Sequence, residues 1–267
     1  MELVFWPIAM DIKYHDIEAL ADQSIDITLF NGAVRNAENK HMALTLRKKS
    51  KLLIAYGSCA HLGGIPGLAN FSDRDGIFAR VYLDSESTDN ATKTIPATAV
   101  KENGTILNLP EFFDEVHPLG DFVTVDYYMP GCPPQSERVM EVLGAVLQGV
   151  ALPPRGSVVG AGTKSLCEEC ERKKSDNKKI RAIIRSHELQ DDHETCFLEQ
   201  GVICMGPATR SGCGARCIKG NAPCRGCYGP PAAALDPGAK MMSAIGTMID
   251  ANDPDEIDEI IDHLEEN

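Results

Sequence analysis

No stretch of this sequence approaches the roughly 18–20 consecutive apolar residues that a membrane helix needs, so no helical membrane span is expected. The opening MELVFWPIAM has neither a basic leader region nor a small-residue cleavage site, so no secretory signal is expected and a cytoplasmic location follows. Cytosolic thiols stay reduced, which sets aside a disulfide framework. Positive charge is scarce: 26 Lys and Arg face 39 Asp and Glu, and the net charge of −13 argues against nucleic acid as a partner. Neither G-x-G-x-x-G nor a P-loop occurs, so the common phosphate-cradling fingerprints are missing. Between residues 158 and 235 hydrophobic periodicity is missing as well.

Cysteine is abundant. Of ten cysteines, eight fall in the 61 residues from Cys167 to Cys227: C167-x2-C170, Cys196, Cys204, Cys213, Cys217 and C224-x2-C227. A C-x2-C pair places two thiolates on one tight turn, where both can reach a single metal centre. Eight thiols divide into two four-ligand sites, and four thiolates are the ligand set of a 4Fe-4S cluster. Zinc is the competing metal, since two C-x2-C pairs could make one four-cysteine site. The interval from Cys170 to Cys224 is far wider than the roughly 15–20 residues usual for such a site, and four thiols would be left over.

The 267 residues suffice for two domains, expected at 1–150 and 151–267. In the first, the apolar runs at 2–6 (ELVFW), 26–30 (DITLF), 51–56 (KLLIAY) and 122–128 (FVTVDYY) read as strands, and 36–49 and 135–149 as helices. Alternating strand and helix predicts an α/β domain with a covered parallel sheet. The prolines and glycine of ALPPRGS (151–157) close the last helix. The cysteine-rich segment beyond has no continuous apolar pattern, so its order is expected to come from metal coordination. Residues 238–250 read as a helix with a Met and Ile stripe that serves the core. The last fifteen residues carry eight acidic side chains, and Ile257, Ile260, Ile261 and Leu264 predict an amphipathic helix able to pack on its own domain or on a partner.

Cys59 (GSCA) and Cys132 (PGCPP) each follow closely on an expected strand. Open α/β sheets bind ligands outside the carboxyl ends of their strands, so a third metal site is expected at that edge. The alternative is that each thiol is simply a small buried residue. His61 reads as a polar neighbour rather than a ligand. The basic run ERKKSDNKKIRAIIR (171–185) reads as a solvated helix face, with a docking patch for an acidic redox partner as the alternative.

VFWPIAMDIKYHDIEAL, GSCAHLGGIPGLANF, VDYYMPGCPP and ICMGPATRSGCGARCIKGNAPCRGCYGP together resemble the small, electron-transfer subunit of nickel–iron hydrogenases. The resemblance runs nearly end to end and is strong to the methyl-viologen-reducing, deazaflavin-nonreducing branch of methanogenic archaea. It implies a flavodoxin-like domain followed by a mostly irregular iron–sulfur domain. It also implies a distal 4Fe-4S cluster on Cys167, Cys170, Cys196 and Cys204, and a medial one on Cys213, Cys217, Cys224 and Cys227. Many relatives lack a cysteine at the position of Cys217 and hold a 3Fe-4S cluster, so its presence implies 4Fe-4S here. Cys59 and Cys132 match half of the proximal ligand set. The other half lies in a C-x2-C turn after an additional first strand that this sequence does not contain, so the proximal cluster is expected to be incomplete and the sheet to have a gap.

The resemblance implies no catalytic residue in this chain. Its partners would be a large subunit holding the nickel–iron centre and a small iron–sulfur acceptor subunit leading to heterodisulfide reductase. Two other readings stay open on the residues alone: a ferredoxin-like carrier without a hydrogenase partner, and a zinc-stabilised interaction protein.

Overall fold

Residues 50–56, SKLLIAY, are apolar on both faces, and the fold of the first half is built around them. The structure, a computed structural model, describes residues 2–175, 180–190, 192–251, 253–258 and 260. The chain divides into two compact units, Met1–Pro134 with Leu143–Val159, and Gln135–Val142 with Gly160–Asn267.

The first unit runs α1 (Tyr14–Ala19), β1 (Ile25–Asn31), β2 (Val34–Asn36), α2 (Ala37–Lys49), β3 (Ser50–Tyr56), α3 (Ser58–Leu62), α4 (Arg74–Phe78), β4 (Ala99–Glu102), β5 (Thr105–Asn108), β6 (Phe112–His117) and β7 (Tyr127–Met129). After α5 (Ser136–Leu147), whose first residues belong to the second unit, it closes with β8 (Ser157–Val158). Strands β1, β3, β7 and β8 form one parallel sheet in that order. Leu53, Ile54 and Ala55 of β3 are fully buried, as a strand covered on both faces requires. Helix α2 turns Ala43 and Leu46 into the core. The Asn36 side chain caps it by accepting from the Asn39 amide at 2.8 Å, and Arg47, Lys48 and Lys49 sit in its last turn, where the helix dipole favours positive charge.

One buried carboxylate ties this sheet together. Asp126 is 1 % exposed. Its Oδ2 accepts from Arg47 Nη1 (2.6 Å) and from the Leu53 amide (2.8 Å), and Oδ1 pairs with Arg155 at 3.0 Å. These bonds join α2, β3, the lead-in to β7 and the lead-in to β8, so both oxygens of Asp126 have partners.

Two expected strands differ. Residues 2–6 form no ladder: the Trp6 carbonyl accepts from the amides of Ala9 and Met10 (both 2.9 Å), which turns the chain at Pro7. Val4 and Phe5 still pack on the core. A strand needs a neighbour about 4.8 Å away, and among the described residues none runs beside this segment, so β1 ends the sheet instead of flanking a gap. The strand expected at 122–128 shrinks to Tyr127–Met129, because the Phe122 and Val123 amides fold back to the Leu119 carbonyl at 3.2 and 3.3 Å.

The second unit contains α6 (Arg216–Lys219), α7 (Pro237–Gly246) and short 3-10 turns. It corrects the expectation that this region lacks an apolar core. Leu166, Ile180, Ile183, Phe197, Leu198 and Val202 join Ala208, Ala215, Ile218, Met241 and Met248 in one buried cluster, and Cys204 and Cys224 are members of it. These residues lie on turns of irregular spacing, so no period of 2 or 3.6 marks them. Met241 and Met248 place the stripe of α7 and its exit in that core. The described part of the basic run is not helical, and its residues 176–179 lie outside the described residues. In the tail, 254–258 and 260 are helical; Ile260 is buried, Ile257 is exposed, and Ile261 and Leu264 lie outside the described residues. No helix among the described residues is long and apolar enough to cross a membrane.

Candidate metal centres

Cys59 and Cys132 lie where parallel strands β3 and β7 end. Cys59 is in the first turn of α3 and half-buried, and Cys132 is exposed in the turn after β7. The two loops are hydrogen-bonded to each other: the Gly57 amide donates to Met129 O and the Ser58 amide to Gly131 O, both at 2.8 Å. Gly57 has a φ of +90°, and a Cβ there would press on Gly131 O at 3.4 Å. A Cβ on Gly64 would stand 3.0 Å from Cys59 Sγ, so only glycine lets the chain pass this thiol. His61 packs its ring on Tyr128 with centroids 4.7 Å apart.

The other eight thiols lie in the second unit. Cys204 and Cys224 are buried, Cys217 is exposed, and Cys167, Cys170, Cys196, Cys213 and Cys227 are half-buried. A Cβ on Gly206 would meet both Cys167 Sγ (3.1 Å) and Cys204 Sγ (3.6 Å), so this glycine is the floor between two thiols distant in sequence. The Cys224 amide donates to Cys204 Sγ at 3.3 Å, and the Gly226 amide to Cys224 Sγ at 3.4 Å. Amides aimed at sulfur stabilise thiolate, the form that binds metal. Among the described residues no three His, Cys, Asp or Glu side chains converge on a point fit for a single metal ion. A cubane takes one thiolate per iron, so its four ligands need no such convergence.

Burial dominates the proton affinities. It pushes the Cys204 thiol up to about 12, against the pull of the Cys224 and Gly206 amides. Burial likewise raises Cys167, Cys213 and Cys224; amides of Ala215 and Arg216 oppose it at Cys213, and Thr209 and Gly226 oppose it at Cys224. Soft sulfur donors, low water access and amides directed at sulfur suit an iron–sulfur cluster.

Two residues that the cysteine spacing did not reveal hold these loops, and a third is buried beside them. Glu169, inside the first C-x2-C, accepts from the Gly212 amide (2.6 Å) and the Gly214 amide (3.0 Å), clamping both sides of Cys213. Arg172 donates to Thr195 O (2.8 Å) and Asn221 Oδ1 (2.7 Å) while lying 3.7 Å over the Phe197 ring, which joins the Cys196 loop to the turn after α6. Tyr228 is 2 % exposed, and its hydroxyl has no hydrogen-bond partner among the described residues. Burial first, then the Cys213 and Cys227 thiolates, push that hydroxyl up to about 12. An acid within a C-x2-C or a tyrosine after one carries no sequence pattern of its own.

Residues 1–146 match the family described as NADH ubiquinone oxidoreductase, 20 Kd subunit. The F420-non-reducing hydrogenase iron-sulfur subunit of Archaeoglobus profundus is 44% identical over 263 residues, covering 96% of this chain and 81% of that protein. An F420-non-reducing hydrogenase subunit of Methanothermobacter marburgensis is 39% identical over 269 residues, covering 97% and 80%. Another from Methanocaldococcus jannaschii is 37% identical over 247 residues, covering 92% and 76%. On these matches, the parallel α/β unit and the irregular cysteine-rich unit identify the chain as a member of the nickel–iron hydrogenase small-subunit family, a component of hydrogenase-type oxidoreductase complexes.

Proposed function

We propose that the chain is the electron-transfer subunit of a cytoplasmic nickel–iron hydrogenase and that its second unit holds two 4Fe-4S clusters. Cys167, Cys170, Cys196 and Cys204 hold one, and Cys213, Cys217, Cys224 and Cys227 the other. Cys59 and Cys132 supply two ligands of a third site at the carboxyl edge of the sheet. When bound, the clusters supply one-electron transfer within the roughly −700 to +450 mV open to such centres. The chain's own residues do the rest. Its apolar core keeps water from Cys204 and Cys224, backbone amides direct their N–H bonds at sulfur, and Glu169 and Arg172 fix the ligand loops.

The observation that carries this reading is the placing of eight thiols on loops of one apolar unit, in a chain 44% identical to a hydrogenase iron–sulfur subunit. The proposed domains are 1–150, with the Cys59 and Cys132 edge, and 151–267, with the other eight thiols. The partners in this reading are a large subunit with the nickel–iron centre, docked on the Cys59 and Cys132 edge, and a small iron–sulfur acceptor subunit toward heterodisulfide reductase. Hydrogen exchange with and without the large subunit tests the docking. Amides of residues 57–64 and 129–134 should exchange more slowly in the complex, and equal exchange in both states would refute the proposed edge.

A further inference from the structure

Tyr228 follows directly on Cys227 in the C-x2-C of the second unit. Its turn is fixed by backbone bonds: the Gly229 amide donates to Gly226 O at 2.9 Å and the Arg210 amide to Gly229 O at 2.7 Å. The ring is buried, and the hydroxyl finds no donor or acceptor among the described residues. Such a group loses its bonds to water on folding, and phenylalanine would fill the same space without that loss. An orphaned hydroxyl at full burial therefore points to a partner from outside the polypeptide. Its place in the chain says which: the ring stands next to Cys227, on the turn that the Gly229 amide closes on Gly226 O.

We propose that the Tyr228 hydroxyl donates a hydrogen bond to a sulfur of the cluster held by Cys213, Cys217, Cys224 and Cys227, and so sets that cluster's reduction potential. The inference rests on the cluster assignment above. A 4Fe-4S cluster held by these cysteines would bring inorganic sulfide acceptors in addition to the cysteine sulfurs, the kind of partner the hydroxyl lacks. A donor to cluster sulfur withdraws electron density and favours the reduced, more negative state, which raises the potential. Tyr228 is thus a positioning and tuning residue that touches the cofactor without ligating it.

The test uses the anaerobically purified hydrogenase complex with the full chain, titrated electrochemically under electron paramagnetic resonance, with resonance Raman spectra in H2O and D2O. Tyr228→Phe should keep the iron content, lower the potential of one second-unit cluster and leave the other unchanged. It should also reduce the deuterium shift of that cluster's iron–sulfur stretches, leaving the part due to the Gly226 amide. Should the phenylalanine variant lose iron, 3-fluorotyrosine placed at position 228 decides: a stronger donor of nearly the same shape should raise the potential. An intact cluster whose potential and deuterium shift are unchanged by either replacement would overturn this inference alone, with a buried water as the hydroxyl's partner. A second unit that binds no iron in the unaltered chain would overturn the cluster assignment and this inference together.

Discussion

The two units solve the same problem by different means. In the first, the β1-β3-β7-β8 ladder and the apolar faces around Leu53 and Ile54 hold the fold, and Cys59 and Cys132 sit on loops beyond the strand ends. In the second, Cys204 and Cys224 are themselves part of the buried core. Ligand and scaffold are separate in one and merged in the other. On the proposed cluster assignment, losing Cys59 or Cys132 would leave the first unit's core intact, whereas losing a cluster from the second would disturb its core.

The sharpest way to break that contrast is to remove a merged residue. Cys204→Ser puts a hydroxyl into an apolar site and removes one thiolate. It should cost about four irons, one cubane's worth, and the cooperative folding of the second unit. Iron analysis with hydrogen exchange would read both losses, and protection of β3 amides should survive. Equal loss in both units would mean that they do not differ in this way.

Next in size is Asp126→Ala, which leaves the Leu53 amide and Arg47 without their shared acceptor. Breaking a buried ion pair by deleting one member costs about 3 kcal/mol. Denaturant unfolding followed by a probe in the first unit should show it, with second-unit iron retained. The smallest expected stability effect is at Cys217, which is exposed on α6. Cys217→Ala should change stability by only about 0.5 kcal/mol, in line with exposed positions. It should convert its cluster toward a 3Fe-4S centre visible by paramagnetic resonance. An unchanged spectrum would remove Cys217 from the ligand set.

The same contrast governs what could be read in advance. Strands β1 and β3 and helices α2 and α5 are legible because runs rich in Ile and Leu and helical apolar spacing mark them. ELVFW has strand composition, yet composition does not supply a ladder partner. The β4–β5 hairpin escaped notice although Asn103-Gly104, both at positive φ (49° and 85°), is its signature. In the second unit the thiols are conspicuous in the sequence, but the core around them is not, because Phe197, Ile218 and Met248 come together from irregular turns. Glu169 and Tyr228 become meaningful only once Gly212 and Cys213 are seen beside them.

The central claim, eight second-unit thiols holding two cubanes, is tested most directly by metal and acid-labile sulfide analysis of the anaerobically purified chain. Two clusters held by Cys167 through Cys227 predict about eight irons and about eight sulfides for that unit, with zinc near zero. Stoichiometric zinc without sulfide, or a count near four irons that Cys204→Ser leaves untouched, would contradict it.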